Sequence, residues 1–200
     1  MLGLCSLLYS VALYASTLQA DLFEVTNPWW IVTSATVLLL SPLYHAVIIP
    51  AIARARGFEV SITPSFVLER FPNLFLGQLL VNLGVVLGSM LFVVPGVLIG
   101  LRTIYYKQEL LLAGGAIRDA ILSSLKRTGL GKRLLEIFAA LAIFYCLPLG
   151  MEFFVLPLLG SLAQHITSIL ATALFVGWLN AYITDSYLAS IARDTESDVL

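Results

Sequence analysis

Between Arg70 and Arg102 not one side chain is charged, and only Asn73, Gln78, Asn82 and Ser89 carry a polar group. Crossing about 30 Å of bilayer hydrocarbon takes roughly 17 to 25 helical residues, so this run is too long for one ordinary span. Near its middle stands Pro95-Gly96. Pro95 removes a backbone donor and disfavours helix at Val94, while Gly96 permits a sharp reversal. The run therefore reads as two membrane spans joined by a hairpin at Pro95 and Gly96. One kinked, strongly tilted helix is the alternative.

The rest of the chain agrees with that environment. Hydrophobic residues make up 60 % of the 200 residues and charged ones 12 %, with mean hydropathy +0.96, whereas about a quarter of a soluble protein is charged. The fold class expected is all-α: a polytopic transmembrane helical bundle forming a single integral membrane domain, 1–200. About six spans are expected, over Leu2–Leu18, Trp29–Ala53, Leu74–Val94, Gly96–Leu112, Leu134–Phe154 and Ile166–Ile183. The first run also satisfies the apolar core of a signal peptide, with small residues near Ala15 and Ala20, but no basic segment precedes it. Cys5 and Cys146 sit singly in apolar runs, which suits buried thiols. The net charge of -1 gives no reason to expect nucleic acid.

Basic residues are one-sided along this topology. With a hairpin at Pro95, Arg54, Arg56 and Arg70, then Arg118, Lys126, Arg127, Lys132 and Arg133, then Arg193, all fall on one face of the membrane, with Lys107 near a helix end. The opposite loops hold no Lys or Arg. The excess of cationic residues on the cytoplasmic side makes both termini cytoplasmic and places Asp21 and Glu24 outside, with Trp29 and Trp30 as outer interface anchors.

Helices in lipid pack through small residues and a few polar side chains. Gly84 and Gly88 form one G-x-x-x-G and Gly96 and Gly100 another, which suits close packing within the chain or dimerisation. Gln78 and Asn82 share a helix face and would bond neighbouring helices or a ligand. His45, between Pro42 and Pro50, is a packing residue or a proton relay. Arg102 calls for a partner inside the membrane. Glu152, backbone carbonyls or water, and a lipid phosphate or substrate are the three choices, which makes Arg102, Gln78, Asn82 and Glu152 the candidate intramembrane polar contacts.

Between Gly114-Gly115 and Gly129 lies "AIRDAILSSLKRT". Ile117, Ile121 and Leu125 recur every four residues with Leu122 beside them, so the segment is expected as an amphipathic helix on the cytoplasmic surface. Its Arg118, Lys126 and Arg127, with Lys132 and Arg133, would attract anionic phospholipids, or simply fix topology against the bundle.

No P-loop, H-E-x-x-H, G-x-S-x-G or Cys/His ligand cluster occurs, so no catalytic residue, metal or cofactor is expected. The segment "LLVNLGVVLGSMLFVVPGVLIG", the loop "AIRDAILSSLKRTG" and the closing "TALFVGWLNAYITDSYLASIAR" resemble the YciC-like inner-membrane proteins of bacteria. They are also similar to the membrane domain fused to some glycerophosphodiester phosphodiesterases. The likeness covers roughly 74–193; relatives carry an amphipathic stretch before the first span, where this chain opens inside it. The resemblance implies a helical inner-membrane bundle with no established catalytic activity. The expected function is a non-enzymatic protein that supports the envelope or binds a membrane-protein partner of unknown identity; a small transporter or lipid-handling protein is the alternative.

Overall fold

The computed structural model describes residues 28–60, 62–129, 131–154 and 161–197, and all their regular structure is helical. The first expected span and the acidic loop at Asp21 and Glu24 lie outside the described residues. In chain order the elements are α1 (Pro28–Ala55), α2 (Pro64–Leu91), α3 (Val93–Arg102), the short α4 (Tyr106–Gln108) continued by a π-helical turn (Glu109–Ala113), α5 (Ile117–Thr128), α6 (Lys132–Phe154) and α7 (Ser161–Ser197). Among the described residues three stretches are long and apolar enough to cross a membrane: Ala35–Ala55 in α1, Pro64–Leu91 in α2 and Ile166–Arg193 in α7. A shorter apolar stretch, Leu134–Ile143, lies in α6.

The described residues divide into two compact units. One comprises 28–44, 141–154 and 161–179, three helical segments. The other comprises 45–140 and 180–197 and holds a close hairpin, a broken helix and a core around Ile49, Leu74, Tyr105, Leu110, Ile137 and Tyr187.

Why α2 begins where it does is local chemistry. The Thr63 hydroxyl accepts the Phe66 N–H at 3.2 Å, and Pro64 takes the first helical position, where no donor is needed. It ends at Leu91, one residue short of an extended Phe92 (φ -160, ψ 149). The reversal thus falls at Phe92, three residues before the expected tip at Pro95-Gly96. In an unbroken helix the Pro95 ring would clash with the carbonyl of Leu91. By starting a new helix at Val93, the chain puts Pro95 in a first turn that has no intrahelical acceptor to lose.

Gly96 then serves close approach rather than the turn, since among the described glycines positive φ is found at Gly57, Gly114 and Gly129. A Cβ on Gly96 would lie 2.8 Å from the Ser89 nitrogen and the Val85 oxygen, and one on Gly88 would lie 3.0 Å from the Gly96 Cα. Gly84 meets Ile99 and Gly100 meets Val85. Both G-x-x-x-G pairs are spent on packing α2 against α3. Around this seam Leu83, Leu87, Met90, Phe92, Val93 and Val94 are exposed, an apolar surface matched to hydrocarbon rather than water.

The expected helix over 96–112 does not form as one piece. With 10 residues, α3 reaches about 15 Å at 1.5 Å per residue and stops at Arg102. There the Thr103 hydroxyl bonds back to the Ile99 carbonyl at 2.8 Å, competing with the helix ladder, and a turn at 103–105 follows. The π-helical turn closes on Gly114, at φ +76, whose N–H donates to the Glu109 carbonyl at 3.1 Å.

A buried polar centre at the broken helix

A break in a helix frees backbone groups that need partners, and in this chain a single helix supplies them. The Arg102 carbonyl accepts from the Ser124 hydroxyl at 3.0 Å and lies 2.9 Å from that of Thr128; the Tyr105 N–H donates to Ser124 at 3.0 Å. Ser124 therefore bridges the gap as donor on one side and acceptor on the other. The stripe of α5 that goes inside is Ala120, Ser124 and Thr128, four residues apart and buried. The apolar residues that recur in the sequence lie beside that stripe: Ile117, Ile121 and Leu125 are half-buried and Leu122 is exposed. Small hydroxyl side chains reach an open backbone where bulky aliphatic ones cannot.

Next to the break lies Glu109, at the start of the π-helical turn and only 5 % exposed. One carboxylate oxygen accepts from Arg127 Nε at 2.6 Å and from the Ser123 hydroxyl at 2.5 Å. Arg127 also lies over the Tyr187 ring at 5.7 Å, and the Tyr105 hydroxyl pairs with that of Ser186 at 2.6 Å. Lys107, on α4, brings its Nζ to 3.1 and 3.4 Å from the two ring nitrogens of buried His45, and to 5.8 Å from the Tyr106 ring. Lys107 lies outside the three span-capable stretches, and desolvation lowers its ammonium to about 7. Burial raises the phenol of Tyr106 above its ordinary value. On the exposed rim, Arg56 grips Asp185 through two bonds of 2.8 and 2.6 Å, and that hydrogen bond raises the Arg56 guanidinium.

The structure sorts the residues singled out in the sequence. Arg102 is half-buried and donates to the Leu125 carbonyl at 3.1 Å, the carbonyl alternative among its three, while its Nε is buried without a hydrogen-bond partner. Glu152, Lys132 and Arg133 have side chains outside the described residues. Gln78 is half-buried with a partner of its own, and Asn82 is exposed on α2. Of the basic residues on α5, Arg118 and Lys126 are exposed, while Arg127 turns inward to Glu109. Sequence reasoning missed Glu109 and the Lys107–His45 contact. A signal for the first was present, an acid set against the apolar run of "YYKQELLLAGG".

Beside this centre, in the same unit, runs a groove of about 490 Å³ between α3 and the start of α6. Val93, Val97 and Leu101 form one wall, with Leu134, Leu135 and Phe138 opposite. Its volume falls within the range of roughly 300 to 1,000 Å³ usual for ligand pockets, and its lining is mostly hydrocarbon.

Among the described residues no group of His, Cys, Asp and Glu is placed to hold a metal ion. No protein-family model, curated protein or solved structure matches this chain.

Proposed function

We propose that this chain is a non-enzymatic, lipid-handling protein of the bacterial cytoplasmic membrane, of the YciC-like kind, with both termini cytoplasmic. The observation that carries the reading is the groove beside α3. Its walls are predominantly apolar. Its surroundings are the exposed apolar residues of the hairpin, whose natural solvent is lipid. An acyl chain is the occupant that such walls suit, and Leu101 at one end adjoins the cationic Arg102, next to which an anionic headgroup would sit. The neighbouring polar centre supports a non-catalytic role. Glu109 is held by Arg127 and Ser123, and Ser124 by backbone groups.

The test is mass spectrometry of lipid retained after gentle detergent extraction, comparing the wild type with Val97→Trp and Leu134→Trp, which fill the groove. Retained phospholipid is expected to fall in both. Equal retention by folded wild type and variants would overturn the reading. The partner-binding alternative is favoured by the exposed Arg118 and Lys126. It predicts a co-purifying protein that is lost with Arg118→Gln/Lys126→Gln and kept when the groove is filled. Orientation is read separately: a cysteine at Phe92, after Cys5 and Cys146 are replaced, is expected to react with an impermeant thiol reagent from outside.

A further inference from the structure

We propose that Arg102 makes the groove beside α3 selective for anionic phospholipids, whose phosphodiester headgroup carries no amine, over zwitterionic ones. The inference rests on the lipid-handling reading above and adds the residue that chooses the lipid. The groove has a direction. Its wall from Val93 to Leu101 runs about 12 Å at 1.5 Å per residue. At the tip end Phe92, Val93 and Val94 are exposed and apolar, with nothing to hold a headgroup. At the other end Leu101 is followed by Arg102.

Arg102 is a charge without a counter-ion. Its Nη2 donates to the Leu125 carbonyl at 3.1 Å, and its Nε is buried without a hydrogen-bond partner, so the guanidinium is partly desolvated. The ion pairs of this unit do not reach it: among the described residues Glu109 is taken by Arg127 and Asp185 by Arg56. A carbonyl dipole offsets only part of a full charge, and a half-buried cation left in that state is costly. The bond to Leu125 holds the side chain in place and leaves the Nη1 donors for a ligand. A phosphodiester supplies both missing things, a full negative charge and oxygens that match the planar fork of a guanidinium. A headgroup that also carries an ammonium brings a like charge to the same place and loses part of that gain.

The test uses the full chain reconstituted in vesicles of equal phosphatidylglycerol and phosphatidylethanolamine with matched acyl chains, followed by gentle extraction and native mass spectrometry of the lipid retained. The wild type is expected to hold phosphatidylglycerol in preference by about fivefold, the factor that one cationic residue near a lipid surface provides. Arg102→Gln should lose the preference while the apolar walls still retain lipid, and Arg102→Lys, which keeps the charge, should keep most of it. Val97→Trp should lose both lipids. Lipid retained by the wild type without preference, or an unchanged preference in folded Arg102→Gln, would overturn the selectivity and leave the groove reading standing. No lipid on the wild type at all would sink the groove reading and the selectivity with it. Inorganic phosphate bound equally by wild type and Val97→Trp, and lost in Arg102→Gln, would assign Arg102 to a free anion and overturn the proposal. The wild-type ratio is read without any substitution, so a variant that fails to fold does not decide the outcome.

Discussion

The two ends of the α2–α3 hairpin are held by opposite kinds of chemistry. At the tip, around Gly88 and Gly96, two backbones come close together, with the side chains of Ser89 and Ile99 packed against them. At the base, around Arg102 and Tyr105, the helix is broken, and hydroxyls from α5 bond the freed backbone groups. Hydrocarbon supplies no hydrogen bonds, so an intact helix can stand in it but a broken one cannot unless protein groups satisfy the gap. Disorder of the ladder is therefore tolerated only where Ser124 and Thr128 arrive. The tip depends on shape and the base on polar satisfaction, and substitutions at the two should fail in different ways.

The largest effect is expected at the base. Glu109→Leu removes the carboxylate from beside Arg127, whose side chain is 20 % exposed. Breaking a buried ion pair on one side costs about 3 to 5 kcal/mol, because an uncompensated charge remains. Thermal unfolding in detergent should show the loss, and Glu109→Leu/Arg127→Leu should recover much of it. Equal or additive losses in that cycle would mean that the pair contributes little.

At the tip the next largest loss is expected. Gly96→Ala sets a methyl 2.8 Å from backbone atoms of α2, which cannot rotate out of the way as a side chain could. Overpacking of this kind costs about 1 to 3 kcal/mol. The loss should be steric in character, unchanged by pH or salt. Back at the base, Ser124→Ala strips the Tyr105 N–H of its acceptor and the Arg102 carbonyl of one donor, at about 1 to 3 kcal/mol for buried groups left unsatisfied. Thr128→Val, which keeps the shape and leaves Ser124 in place, should lose less.

The pH response separates the two ends again. The folded Lys107 amine gives up its proton near 7 and an unfolded lysine holds its own to about 10.4, so the unfolded chain binds more protons between those values. Stability should rise with pH across that window, and below about 7 the cost of burying the charge is carried in full. In Lys107→Met the rise should vanish, while Gly96→Ala should keep it. A wild-type stability curve flat between pH 7 and 10 would remove Lys107 from the buried charges.

Which of these features the sequence discloses follows from their range. The apolar character, the helical class, the hairpin and the glycine seam depend on composition and on spacings within one or two turns, and all can be read from the residues. So can the existence of α5. Its buried stripe cannot be, because hydrophobicity ranks Ile117, Ile121 and Leu125 above Ala120, Ser124 and Thr128. The ranking reverses only once a broken backbone lies opposite. The break itself is written faintly, in a β-branched Thr103-Ile104 followed by two tyrosines, and its consequence for 96–112 depends on partners twenty residues away. Lys107 and His45 are further apart still, and no local pattern pairs two bases.

The smallest expected effect has the opposite sign and tests the tip most closely. Gly96 and Gly100 belong to one G-x-x-x-G, and a reading by motif would treat them alike. Their surroundings differ. A Cβ at Gly100 would find Val85 Cγ2 at 3.6 Å, an ordinary van der Waals contact, and no backbone within reach. Glycine inside a helix costs roughly 0.5 to 1 kcal/mol relative to alanine, through the freedom lost on folding. Gly100→Ala should therefore raise stability by about 0.5 kcal/mol, where Gly96→Ala lowers it. If both alanines destabilised to the same degree, the seam would need small residues along its whole length, and the tip would not be confined to the crossing at Gly88 and Gly96.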